Sequence, residues 1–338
     1  MKPTLAQKFD PKKVQWPALV SPKLDGIRCM VEVTDEGVKL WSRDEKPILS
    51  VQHIVLQLNA LVTQLNIPVG TWLDGELFTK AMPFQNLNGT VRRQYFDERA
   101  LPIKLYLFDV ARDADGLHTQ TFEHRLNALM TMYAKTGTPG AENSFGIPTD
   151  VQTQLGHLHP WLNAYLSPNV AVLAHVRAYT HGDVERFERD FLAAGLEGAM
   201  VRTDVFDKKA KAWRPCGYET EASGHTRRTW GLQKVKTFED AEFRIVGVFE
   251  EHDLDGRPKG RAAGFVMEDE QTAAADGVPV RFNASGLTDA QKAEVWEKQS
   301  DYIGQLATVK FFGRSSDGVP RHPNFKALRP EGQMDAAD

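Results

Sequence analysis

The run Ser21-Pro22-Lys23-Leu24-Asp25-Gly26-Ile27-Arg28 places a lysine, a carboxylate, a glycine and an arginine within one turn of chain. An apolar stretch, Pro17 to Val20, leads in, and a strand-like stretch, Cys29 to Val33, leads out. A lysine nucleophile needs a strand end to place it, nearby charge to tune it and a turn that lets phosphate approach, and this octet offers all three. Further charged groups recur at strand ends. Asp74-Gly75-Glu76 closes one strand pattern, although such a string is more often a hairpin tip. Tyr106-Leu107-Phe108-Asp109 closes a second, Ser42-Arg43 ends an early hairpin, and Leu196-Glu197-Gly198 opens a strand after a helix. Lys234-Val235-Lys236 alternates, so both lysines leave one face of a strand. A lysine must be neutral to attack phosphorus, and neighbouring cations favour that form; Lys234 and Lys236 are the candidates.

The elements that must hold these groups are legible in the spacing. Ile27 to Val33 and Val38 to Ser42 read as a hairpin around Asp35-Glu36-Gly37. Ile54 to Leu65, Phe122 to Tyr133 and Val184 to Ala194 carry helical spacing, the last with Gly195 as its stop. Strands are predicted over Thr71 to Thr79, Ile103 to Val110, Val170 to Tyr179 and Leu196 to Arg202, with a loop over Thr136 to Asp150. Thr203 to Gly231 lacks apolar periodicity and reads as a basic surface excursion, before Gly231 to Val235 returns to the core. Beyond Thr237 come short strands (Phe243 to Phe249, Gly264 to Glu268, Val278 to Asn283, Ala307 to Phe312) and one helix, Asp289 to Gln299. That texture predicts a small Greek-key barrel of the oligonucleotide-binding kind. The fold class is therefore α+β, with an N-terminal domain of antiparallel sheets and flanking helices over residues 1–237, an OB-fold barrel over 238–330, and a flexible tail over 331–338.

With 338 residues the chain can bury two cores. Its two cysteines, Cys29 and Cys216, exclude a disulfide framework and a four-cysteine zinc module and suit a reducing cytoplasm. No apolar run reaches membrane-spanning length, and Met1 to Asp10 lacks the apolar core of a secretory signal. A net charge of −4 argues against coating by nucleic acid over the whole surface, but leaves room for a local basic face. Candidates for that face are Arg92-Arg93, Lys208-Lys209-Lys211-Arg214, Arg227-Arg228 and Lys259-Arg261, with Trp213 and Tyr218 set among the charges of the excursion as a DNA clamp.

Lys23 to Arg28 resembles the nucleotidyl-acceptor motif of covalent nucleotidyltransferases, namely ATP-dependent DNA ligases, RNA ligases and mRNA capping enzymes. The Asp74, Tyr106, Leu196 and Lys234 strings resemble the later motifs in order. Thr308 to Phe312 followed by Asp317 to Pro323 resembles the closing segment of small bacteriophage-type DNA ligases. The resemblance implies that Lys23 takes AMP from ATP, with Mg2+ (or Mn2+ in its place) held by Glu197 and by Glu76. It implies that Phe108 stacks on adenine, that Glu76 meets the ribose, that Lys234 and Lys236 face the α-phosphate, and that Arg28 and Arg43 meet ribose or the DNA 5′-phosphate. The implied partner is nicked duplex DNA, bound by a monomer in bacterial or phage-infected cytoplasm. An RNA ligase or GTP-dependent capping enzyme is the alternative. Many ligases place an acidic residue two positions before the lysine; here that residue is Ser21, so adenine contacts are expected to rest more on main-chain groups. Asp109 and His322 are expected to be structural, His322 in barrel packing, and Arg321 to orient pyrophosphate.

Overall fold

The computed structural model describes residues 1–113, 116–137, 141–142, 144–147, 162–218, 228–236, 238–253, 255–273, 278–314 and 318–329. Arg227, Asp317 and the tail 331–338 lie outside them. The chain divides into two compact units, Met1–Lys236 and Thr237–Asp338. No helix among the described residues is long and apolar enough to cross a membrane.

Two large sheets, beside a two-stranded hairpin, build the first unit. The larger has the strand order Gly37–Ser42, Ile27–Thr34, Trp72–Phe78, Lys104–Arg112, Val170–Val172, Asn163–Ser167, Ala141–Glu142. The smaller runs Leu5–Lys8, Arg228–Val235, Ala199–Arg202, Ala18–Pro22, Val176–Ala178. Most pairs are antiparallel; Leu5–Lys8 with Arg228–Val235 and Lys104–Arg112 with Val170–Val172 are parallel. One face of the large sheet (Val31, Leu73, Leu77, Leu105, Leu107) packs on the helices Gln52–Leu65 and Phe122–Thr136 through Ile54, Leu58, Leu126 and Leu129. A second core joins Tyr106, Phe108 and Leu173 to Val20, Ala199 and Val201 of the small sheet and to the helix His181–Ala193.

Two elements differ from the sequence reading, and at a third the predicted strand Thr71 to Thr79 holds against the hairpin-tip alternative. The predicted strand Val170 to Tyr179 is two strands, Val170–Val172 and Val176–Ala178, one in each sheet, so the chain changes sheet between them. The predicted helix at Val184 begins at His181, because Thr180 and Asp183 form a reciprocal capping box. Asp74-Gly75-Glu76 is no hairpin tip but the middle of the strand Trp72–Phe78. Gly75 is required there: a Cβ would come within 2.8 Å of Tyr106 O on the neighbouring strand.

The second unit is a five-stranded antiparallel sheet, Pro279–Ala284, Pro258–Ala273, Glu239–His252, Leu306–Phe311, Asn324–Leu328. Phe243, Phe265, Phe282 and Phe311 fill its interior, with Phe243 edge-on to Phe282 at 4.8 Å between ring centroids. The edge strands come together at a bridge between Ser285 and Asn324. His322 is exposed and sits in the left-handed region (φ 51°), so it turns the chain rather than packing the barrel.

Candidate active site

Lys23 follows directly on the strand Ala18–Pro22. Its main chain is fixed on both sides: Lys23 N donates to Gly198 O at 2.8 Å and Glu197 N donates to Lys23 O at 3.1 Å. The lysine is thus held against the segment that carries the best metal-ligand candidate. Ser21, Met200 and Lys234 stand side by side across three strands, and cross-strand neighbours share a face. Lys23 and Lys236, two residues beyond Ser21 and Lys234, follow on the same side. Glu197 receives both: Lys23 Nζ donates to Oε2 and Lys236 Nζ to Oε1. The Glu197 side chain is only 6% exposed, so burial opposes its charge. The two lysines outweigh that and hold its carboxyl below the usual range. Lys234 is held below the usual lysine range by partial burial and by the positive charge of Lys236, Arg228 and Lys23.

The Lys23 side opens on a cleft of about 780 Å³ whose lining includes Arg28, Arg43, Glu76, Phe108, Arg202 and Lys234. Ser21, Arg92 and Arg228 also reach it. Two sheet features aim the large-sheet residues here. Gly26 lets the turn after Lys23 lie on the next strand, where a Cβ would come within 2.4 Å of Leu77 O. Phe108 occupies a bulge: the register passes from Asp74 opposite Asp109 to Gly75 opposite Leu107, which leaves Phe108 unpaired. The bulge returns Val110 to the face of Leu105 and Leu107 and puts Phe108 with the second core at the cleft.

Glu76 stands opposite Arg28 in the register. Burial pushes its carboxyl up to about 7, against the pull of Arg28 and Lys23, with the negative charges of Asp74 and Glu197 adding to the rise. Arg28 is engaged rather than free: its Nε and Nη2 donate to Asp74, and its guanidinium lies 4.8 Å from the Phe108 ring centroid. Sequence reasoning passed over Arg202. It lies over the same ring at 5.3 Å and donates to Asp109 at 3.2 Å. Its signal was the strand alternation that places it with Met200 on the cleft side. Asp109 is structural as expected, fully buried between Arg125 and Arg202.

The proposed DNA-contacting cations are scattered. Arg43 is 62% exposed at the cleft rim. Arg93 pairs with Asp97, and Arg214 with Asp207 at 3.0 Å. Lys208 and Lys209 line a second cleft of about 580 Å³ with Arg214, Arg228 and Trp230. Lys208, Lys209 and Lys211 belong to the turn of a two-stranded hairpin, Val205–Asp207 with Ala212–Arg214, within the segment read as an excursion. Trp213 packs on Phe206 there at 5.5 Å. Tyr218 is not part of a surface clamp; its hydroxyl meets two buried aspartates. In the second unit Lys259 and Arg261 are taken up by Glu251 at 2.9 and 2.8 Å.

Residues 3–215 match the family described as ATP dependent DNA ligase domain, and residues 255–329 match the family described as DNA ligase OB-like domain. The chain belongs to the ATP-dependent DNA ligase family. Solved structures named Pmar-Lig_PreS3 and Pmar-Lig_Pre. are each 22% identical to it, with TM-scores of 0.65 and 0.67. The alignments take in 92% and 96% of this chain and 63% and 67% of theirs, so it spans about two thirds of their length. A structure described as "DNA binding with a minimal scaffold: Structure-function analysis of Lig E DNA ligases" is 21% identical, with a TM-score of 0.63, 97% of this chain covered and 99% of that one. At these identities the likeness establishes the fold. No curated protein matches by sequence.

ATP-dependent DNA ligases use ATP and, in general, a divalent metal. No cluster of three or more His, Cys, Asp or Glu side chains suited to a metal occurs among the described residues. The carboxylates Glu76 and Glu197 beside the cleft nevertheless suit a hard cation that takes most of its ligands from phosphate and water. Burial is the main reason the Glu76 carboxyl is raised, and the negative charges of Asp74 and Glu197 add only a minor part. A cation held beside Glu76 would favour its ionised, metal-binding form.

Proposed function

We propose that the protein seals nicks in duplex DNA as a monomer, with ATP as adenylyl donor and Mg2+ as its metal, Mn2+ substituting. The observation that carries the reading is the clamped Lys23, hydrogen-bonded to Glu197 at a cleft that also holds Arg28, Glu76, Phe108 and Lys234. In the first step the Lys23 amine attacks the α-phosphorus of ATP, a P–N bond forms, the bond to the β-phosphate oxygen breaks, and pyrophosphate leaves. Lys234 and Lys236 offset negative charge on the α-phosphate. Phe108 offers a face to adenine and Glu76 an acceptor to the ribose hydroxyls. Glu197 and Glu76 would hold the divalent cation, which supplies positive charge opposite the phosphate. In the second step the 5′-phosphate of the nick takes AMP and Lys23 regains its amine; Arg43 at the rim is placed to receive that phosphate. In the third the 3′-hydroxyl attacks the activated 5′-phosphate and AMP departs. Arg92, Arg228 and the hairpin lysines contribute backbone contacts to the duplex.

The test is to incubate the protein with ATP labelled in the α-phosphate, then add nicked duplex DNA. Label should enter the protein, be absent in Lys23→Ala, and be discharged as the nick closes. Labelling from GTP alone, or discharge only by nicked RNA, overturns the proposal.

A further inference from the structure

The hydroxyl of Tyr218 lies 2.7 Å from Asp74 Oδ2 and 2.9 Å from Asp109 Oδ2. The two aspartates face each other on adjacent strands and are fully buried. Each carries cations: Asp74 receives Arg28, and Asp109 receives Arg125 at 2.7 Å and Arg202 at 3.2 Å. Arg28 and Arg202 in turn lie over the Phe108 ring, at 4.8 and 5.3 Å from its centroid. A carboxylate can only accept hydrogen bonds, so two of them side by side need a donor between them. A phenol supplies one without adding a charge. Removing it leaves buried acceptor oxygens facing each other, and the arginines they hold become free to shift. The same segment is pinned a second time, since Arg125 Nη2 donates to Cys216 O at 3.0 Å.

We infer that Tyr218 is a positioning residue of the adenine-nucleotide pocket: by joining Asp74 to Asp109 it fixes the two guanidinium groups that lie over the Phe108 ring. The inference rests on the ligase reading for the identity of the nucleotide. It also gives the described residues 215–218, which follow the basic hairpin, a role beyond DNA contact, because the Tyr218 hydroxyl reaches both aspartates.

The experiment compares wild type, Tyr218→Phe, Arg28→Lys and the double variant in self-adenylation across a range of ATP concentrations. Equilibrium ATP binding is measured beside it. Tyr218→Phe removes one oxygen atom, and a thermal melt checks that it remains folded. The expected result is a KM and Kd for ATP about tenfold higher with kcat within about twofold, and a double variant whose loss is clearly smaller than the two single losses combined. An unchanged KM and Kd in Tyr218→Phe, or losses that simply add in the double variant, overturn the inference. Absence of protein-bound label in wild type would count against the ligase reading instead, and the ATP-binding comparison would still decide Tyr218.

Discussion

Glu197 accepts from Lys23 and Lys236 at once while almost fully buried, so its charge is what keeps two cations at one spot. Glu197→Gln keeps the shape and removes the charge. Lysyl-AMP formation should then fall by about a hundredfold or more, read as labelled protein per minute at saturating ATP. Glu76 makes the opposite case, a carboxyl raised by burial from 4.5 to about 7. A group that binds its proton more tightly folded than unfolded stabilises most at low pH, and that contribution is lost as pH rises from about 4.5 through about 7. The shift corresponds to at most about 3 kcal/mol. Glu76→Gln cannot ionise, so its denaturation midpoint should lie close to that of wild type at pH 4 to 5 and above it at pH 8 to 9. Parallel pH profiles for the two proteins would show that Glu76 does not carry the effect.

At the scale of elements, the site depends on strands lying close enough for main-chain clamps to form. Gly198 holds φ 132°, and a Cβ there would lie 2.4 Å from Val235 O. Gly198→Ala should therefore push the Lys234 strand away from Lys23, cost about 2 kcal/mol or more in urea denaturation, and abolish lysyl-AMP formation. A variant with wild-type stability and labelling would refute that account. The Lys23 octet and the Lys234-x-Lys236 alternation were legible in the sequence because their placement follows from local turn and strand geometry. Other features depend on distant partners. Asp74-Gly75-Glu76 has the composition of a turn, yet it continues a strand because Gly75 lets Tyr106 O approach. The Phe108 bulge exists only in the register between two strands. Leu5–Lys8 was missed since its partner is the strand Arg228–Val235, more than two hundred residues away, and such pairing leaves no local period. Tyr218 looked like a surface aromatic for the same reason: its partners, Asp74 and Asp109, are remote in sequence.

For the whole molecule, a net charge of −4 means that any duplex must be gripped by local groups rather than by the overall field. Many cations are already engaged by carboxylates, as Arg93 is by Asp97, and Lys259 and Arg261 are by Glu251. Lys208 and Lys209 are exposed on the hairpin turn and border the second cleft beside Arg228. Their main chain is tied down, since Lys209 N donates to Asp207 Oδ1 at 2.8 Å. A phosphate contact at each would release about 0.9 counterion. Lys208→Ala with Lys209→Ala should therefore weaken nick binding and make the plot of log affinity against log salt shallower by about two, while leaving lysyl-AMP formation intact. The measurement is nick binding between 50 and about 300 mM salt for both proteins. An unchanged slope would mean that these lysines are solvated charges and that the duplex is held from Arg43, Arg92 and Arg228 around the first cleft.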